Sequence, residues 1–227
     1  MGTLPLVLIV PALLAPAAAQ AEFQISLYGG GNTANNSDVT LNTPLVNGTF
    51  GVDWFGDSFN TPPYWGARGT WWQNDVGHPR WGVAIDFTHA KIKADLDDPS
   101  VGGSFSTLEF TNGLNTATLN ALYRTPLNNR LSLYAGAGAG ISVPHVEVLT
   151  KPDQGETVEY QLTGPAMQGL IGLNLNLASG LSAFAEYKAN FSSNEAELVG
   201  GGTLKADVLT HQFAVGLTCS FGTPPQY

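Results

Sequence analysis

Three of the four histidines, His89, His145 and His211, each sit at one end of a stretch in which apolar and polar residues alternate, and Glu109 opens another. Two imidazoles and one carboxylate are the ligand set of non-haem iron and related oxidising sites, which keep positions open for oxygen and a substrate. Brought together, His89, Glu109 and His145, with His211 as a further ligand, would hold a divalent or transition metal ion. Glu147 and Asp53 are close enough in sequence to add a ligand or act as a general base, and Asp57 offers one more carboxylate. His78 falls in a turn and is given no role. Whether the others meet depends on the elements that carry them.

Those elements are strands. Phe213, Val215, Leu217, Cys219 and Phe221 alternate with Gln212, Ala214, Gly216, Thr218 and Ser220. An apolar-out, small-or-polar-in dyad of this kind is how a strand faces lipid on one side and a barrel interior on the other. The same alternation runs through 181–190, 131–143 and 81–88, and more weakly through 23–32, 107–124 and 158–177. Residues 74–80, 125–130 and 178–180 are short connections, whereas 94–106, 146–157 and 193–206 are longer and more polar. Short periplasmic turns and long extracellular loops alternate in this way in outer-membrane barrels.

Parity then decides the stretch FGVDWFGDSFNTPPYWG at 50–66. A membrane strand there would make nine, and bacterial single-chain barrels have an even number. Residues 33–63 are therefore expected to form one long first extracellular loop, with a strand beginning near Tyr64. Its aromatics argue against disorder and for a lid folded on the barrel mouth. The expected fold is all-β: an eight-stranded antiparallel transmembrane β-barrel of meander topology over 22–227.

Composition agrees. Residues 1–21 carry no charge and end in Ala19-Gln20-Ala21, which reads as a signal peptide for export. The net charge of −9 makes nucleic acid an unsuitable partner, and the single Cys219 rules out an internal disulfide framework. Charged residues are 12% of the chain, about half the usual globular share. The run AGAGAGI at 135–141 lies inside a strand, so it lacks the strand-to-helix context of a nucleotide loop. Its glycines are expected to leave room for bulky neighbours in the lumen. No flavin- or NAD-binding fingerprint occurs.

On this scaffold His89, Glu109 and His145 fall at the surface ends of three adjacent strands, with His211 at the end of another. Strict alternation points all four outward, at the height of the outer-leaflet sugars, unless bulges turn them in under the loop. The plain alternative is that polar rim residues simply meet headgroups and water. Arg68, Asp86, Glu186 and Lys188 fall in the inward phase and are expected to fill the interior as a salt-bridged plug.

The segments VDWFGDSFNTPPYWG, WGVAIDFTHAKIKA, LEFTNGLN, VPHVEV, TGPA and AEYKANFSSN, in this order and spacing, resemble the outer-membrane lipid A oxidases of alphaproteobacteria. The resemblance implies oxidation of the proximal glucosamine of lipid A to 2-aminogluconate, with molecular oxygen as co-substrate and hydrogen peroxide as product. The implied partner is the lipid A or lipopolysaccharide of the outer leaflet of a Gram-negative outer membrane, met by a monomer. Trp54, Tyr64 and Trp65, with Lys91, are the candidate substrate-binding residues. Two other readings stay open. One is a lipid A deacylase or acyltransferase using Ser58 and a rim histidine; the other is a structural barrel whose acidic loops bind lipopolysaccharide through divalent cations.

Overall fold

The computed structural model describes residues 22–73 and 81–222. The expected signal peptide at 1–21, the turn at 74–80 with His78, and the tail after 222 lie outside them. Eight long strands make the wall: β1 (Glu22–Ala34), β5 (Trp65–Trp72), β6 (Trp81–Ala94), β7 (Phe105–Pro126), β8 (Leu131–Ser142), β11 (Gly164–Ala178), β12 (Leu181–Glu197) and β13 (Thr203–Phe221). Each pairs antiparallel with the next, and β13 closes on β1 from Phe23↔Phe221 to Ala34↔Thr210. The result is an eight-stranded meander barrel. Closure removes every free edge from the membrane, where an unpaired backbone group has no water to turn to.

Five shorter strands stand on one end of it: β2 (Ser37–Asn42), β3 (Asn47–Val52), β4 (Trp54–Gly56), β9 (His145–Thr150) and β10 (Thr157–Tyr160). That end carries the long excursions, so it is the extracellular one. The hairpin β2–β3 adds to the top of β13, β4 to the top of β6, and β9–β10 to the top of β7. Much of what reads as polar loop in the sequence is thus β-structure. This holds for the hairpins inside 33–63 and 146–157, and for the extensions of β12 and β13 into 193–206. The stretch 158–177 is two strands, β10 and β11, rather than one.

A single switch of pattern explains the difference. Along β13, Phe213, Val215 and Leu217 are exposed to lipid while Gln212 and Thr218 are buried in the lumen. Higher up, Leu204, Ala206 and Val208 are the buried residues and Lys205 is exposed. The strand keeps its parity, but hydrophobicity moves from the outward to the inward positions where the surroundings change from lipid to water. Val39, Leu41, Val52, Trp54, Ile92, Phe110 and Val146 join this second, dry core above the membrane. Trp54 packs on Phe110 with ring centroids 6.0 Å apart and donates Nε1–H to Ser37. Phe50 meets Phe105 edge-on at 5.4 Å.

Inside the membrane the lumen is polar and filled. Arg68 reaches Glu186 through both Nη1 (2.7 Å) and Nη2 (2.6 Å), and Asp86 through Nη2 (2.8 Å). Lys188 donates to the Tyr28 hydroxyl (2.6 Å) and to Thr88 (2.8 Å), and its ammonium lies 3.6 Å from Asp86. Asp86 also accepts from Tyr28 and Gln168. Near the periplasmic end Arg124 pairs with Glu22 at 2.6 Å and stacks on Trp72. Three cations thus face three carboxylates. Gly136, Gly138 and Gly140 of β8 serve close approach to the β7 backbone as well as room in the lumen. A Cβ at each would run into a β7 carbonyl oxygen.

Candidate functional site

The outer wall just above the apolar belt is where the polar side chains collect. Between β6 and β7 the ladder breaks: Ala90 pairs with Leu114 and Ile92 with Phe110, so Lys91 alone on β6 opposes residues 111–113 of β7. This bulge re-aims the side chains on either side of it. Gly113 at its apex has φ 122°, a conformation that disfavours any side chain, and a Cβ there would lie 2.5 Å from the His89 ring.

On one side of the bulge is His89. It keeps the outward phase of Ile85 and Phe87, yet only 6% of it is exposed. Trp65 stacks against it at 6.1 Å, and its Nδ1 is 2.8 Å from Asn115 Oδ1. On the other side is a histidine–carboxylate pair. His145 Nδ1 is 2.9 Å from Glu147 Oε1, which also accepts from Asn112 Nδ2 at 2.8 Å. The Tyr160 ring stands edge-on to His145 at 4.7 Å, and its hydroxyl donates to the Asn112 carbonyl. An Nδ1–H held by a carboxylate fixes the ring and makes Nε2 the better base. Glu109 pairs directly across from Glu147. Burial, and then the neighbouring charge of Glu147, push its carboxyl above the ordinary range.

The four predicted metal ligands do not converge. Glu109 pairs with Lys93, four residues beyond His89 on β6, so roughly 3.3 Å per residue puts the two about 13 Å apart along the strand. His211 is on β13, half-way round the ring from β7, where its ring nitrogens meet Tyr187 (2.6 Å) and Asn35 (3.1 Å). Glu109 faces Glu147 across the β7–β9 ladder and His145 hydrogen-bonds Glu147, which is as near as the candidates come. Among the described residues no three His, Cys, Asp or Glu side chains are grouped to hold a metal ion. The residues present do not fit that cofactor.

The other candidates divide. Trp65 is outward and 43% exposed, well placed as an aromatic platform. Trp54 is buried in the upper core, and Tyr64 points into the lumen to Gln212 at 3.0 Å; neither can meet a sugar. Asp53 is exposed at the top of the β3–β4 junction, away from His145, and its carbonyl accepts from Asp95. Asp57 lies 3.8 Å from Lys91 and 3.9 Å from Lys93. Ser58 is buried, with Oγ accepting from Asn32 N (2.8 Å) and donating to Asn32 Oδ1 (3.0 Å), which leaves it poorly placed as a nucleophile. Asn112, Gly113, Asn115 and Tyr160 were not singled out from sequence. An Asn-Gly inside a strand pattern was the available signal, since such a pair marks a bulge.

A closed ring with a lipid-facing apolar belt, a polar filled lumen and long excursions at one end defines a small outer-membrane β-barrel. Residues 6–221 match the outer membrane protein beta-barrel domain, and the chain belongs to that family. Its place is the Gram-negative outer membrane. No curated protein matches it. Among solved structures it is similar to OprG of Pseudomonas aeruginosa, at 13% identity over 90% of this chain and 97% of that one, with a TM-score of 0.52. Neisserial surface protein A matches at 14% identity over 89% and 98%, with a TM-score of 0.48. Ail of Yersinia pestis, solved with the heparin analogue sucrose octasulfate, matches at 16% over 89% and 99%, with a TM-score of 0.40. At these identities the likeness concerns the fold alone.

Proposed function

We propose that this chain oxidises the proximal glucosamine of lipid A to 2-aminogluconate with molecular oxygen, on the outer wall of the barrel rather than inside it. The observation that carries the reading is the His145–Glu147 pair, on the partly exposed outward positions of β9 above the apolar belt. That is the depth at which the sugars of an outer-leaflet lipid lie. In this reading His145 Nε2 takes the proton of the anomeric hydroxyl, and Glu147, held by Asn112, steadies the imidazolium that results. As the carbonyl forms, the C1 hydrogen passes with its electron pair to oxygen, and the proton held by His145 completes hydrogen peroxide, leaving the lactone. Water then opens the lactone to the acid. Trp65 and Tyr160 supply sugar-stacking faces on either side of the bulge. The predicted metal ligands are not gathered, so no step is assigned to a metal.

A second reading, equally consistent with a small outer-membrane barrel, is a non-enzymatic one that binds lipopolysaccharide. Mass spectra of lipid A separate the two. Cells carrying the gene should add one oxygen to lipid A in air and none anaerobically, and His145→Ala and Glu147→Gln should abolish the addition while the barrel still folds. Unchanged lipid A in every case would leave only the binding reading. Loss of an acyl chain would revive the hydrolase.

A further inference from the structure

We propose that the outer face of β6 carries a latent anion-binding site, formed by His89, Lys91 and Lys93 and closed in this structure by the carboxylate of Asp57. The ligand is a phosphate or carboxylate group on the saccharide of an outer-leaflet lipid. The proposal concerns binding and does not depend on the oxidation.

Residues 89, 91 and 93 share one face of the strand, each roughly 6.6 Å from the next at two residues per repeat. They begin where the belt of Trp81, Val83, Ile85 and Phe87 ends, so the stripe lies at headgroup height. In a chain with nine Lys and Arg against eighteen Asp and Glu, such a concentration is unusual. Three of the cations, Arg68, Arg124 and Lys188, are committed to the lumen. Lys91 and Lys93 sit side by side on the outside.

One of the three groups is also a donor left short of partners. Lys91 is 2% exposed, and its ammonium, with three hydrogens to give, makes one hydrogen bond, to the Asn60 carbonyl at 3.1 Å. Its distance to Asp57, 3.8 Å, is too long for another. His89 gives its Nδ1–H to Asn115 Oδ1, so its buried Nε2 donates to an anion only when the ring is protonated. The Pro62 backbone lies beside that nitrogen. A buried ammonium with unmet hydrogens is the groundwork of a ligand site, because the ligand restores what folding leaves unsatisfied.

What covers the face is the strap from Asp57 to Tyr64. Its root is fixed, by Ser58 on Asn32 and by Tyr64 in the lumen. Its backbone also meets the stripe, through Asp57 N–H on the Lys91 carbonyl at 3.4 Å. The Asp57 carboxylate, by contrast, stands nearly equidistant from the Lys91 and Lys93 ammonium groups and hydrogen-bonds neither, in the position that the oxygens of a phosphate would take. A ligand with more charge, and short enough to reach both ammonium groups and Nε2, displaces it.

The test uses the full chain folded in detergent micelles, titrated with glucosamine 6-phosphate, with glucuronate, and with N-acetylglucosamine as the neutral control. Binding is read from the NMR shifts of the Trp65 indole and the Lys91 and Lys93 amides, with heat-modifiable electrophoretic mobility confirming a folded barrel. One or both anions should bind and the neutral sugar should not; the tighter anion identifies the natural group. Asp57→Asn should tighten binding at least tenfold, while Lys91→Met and His89→Gln should each weaken it tenfold or more. Affinity untouched by both of the latter variants, no gain in Asp57→Asn, or equal binding of the neutral sugar overturns the proposal. Anion binding that persists in His145→Ala, whatever lipid A shows, keeps this outcome separate from that of the oxidase.

Discussion

Replacing Arg68 by Met should destabilise the barrel by about 3–5 kcal/mol, the cost of leaving a buried carboxylate without its partner. The hydrogen bonds assign that cost to a particular side chain. Asp86 keeps Tyr28 at 2.6 Å, Gln168 at 2.9 Å and the Lys188 ammonium at 3.6 Å when Arg68 is gone. Glu186 takes both of its short hydrogen bonds from Arg68 and loses them together. The lumen also passes from three cations facing three carboxylates to a net charge of −1. Neutralising Glu186 should therefore recover most of the loss, and neutralising Asp86 should recover little, because Asp86 still serves Lys188 and Tyr28. The assay is urea unfolding in lipid vesicles, with Arg68→Met alone, with Glu186→Gln, and with Asp86→Asn. A loss below about 1 kcal/mol in Arg68→Met would show that water entering the lumen replaces the guanidinium. Equal recovery by the two double variants would refute the assignment to Glu186.

Other perturbations follow from the upper half of the molecule. Trp54→Ala should cost about 3–5 kcal/mol of local packing in the dry core. It should make the extracellular strands sensitive to protease on whole cells while the barrel still inserts; unchanged resistance would place Trp54 outside that core. Gly113→Ala puts a side chain at φ 122° and against His89, and should cost about 1–3 kcal/mol at the bulge. A shifted His89 NMR signal is the readout. Glu109 has its folded-state value raised, so the folded cap binds the extra proton, and stability falls as pH rises from the ordinary carboxylate value through the raised one. Glu109→Gln should flatten that slope in hydrogen exchange measured between about pH 4 and 7, and an unchanged slope would mean another group titrates.

The membrane part of the fold was legible because lipid imposes one rule on every strand. Phe213, Val215 and Leu217 outward, with Gln212 and Thr218 inward, suffice to mark β13. Above the membrane the same strand runs on under the opposite rule, and Leu204, Ala206 and Val208 no longer look like its continuation. Trp54 and Tyr64 were misassigned for a related reason. An aromatic near the rim has three destinations (lipid interface, dry core or lumen), and residue type does not choose among them. The rim histidines were blurred by the length of the strands above the belt. If His89 ends one strand and Glu109 opens the next, the two are level; instead β6 runs on to Ala94 and His89 pairs with Asn115, six residues from Glu109 on β7.

The proposed placement of the chemistry on the outer wall rests on how the two ends of the interior are closed. A charge-balanced polar plug fills the membrane section, and a hydrophobic core with the buried Val39, Leu41 and Phe110 fills the section above it. Neither leaves a polar path for a saccharide to enter from the top. Lipids, however, reach a barrel sideways, and a site on its outer wall needs no mouth. The features that such a site requires sit together on one sector of that wall: the His145–Glu147 pair, the Trp65 and Tyr160 faces, and the β6 basic stripe. They span β5, β6, β7, β9 and β10, four strand spacings of roughly 4.8 Å, or about 19 Å across. A surface that wide takes more than one sugar at a time. If both proposals hold, an anion at Lys91 and a sugar at His145 are two points of contact on one headgroup, and a variant at either should weaken the hold on the whole lipid without disturbing the other.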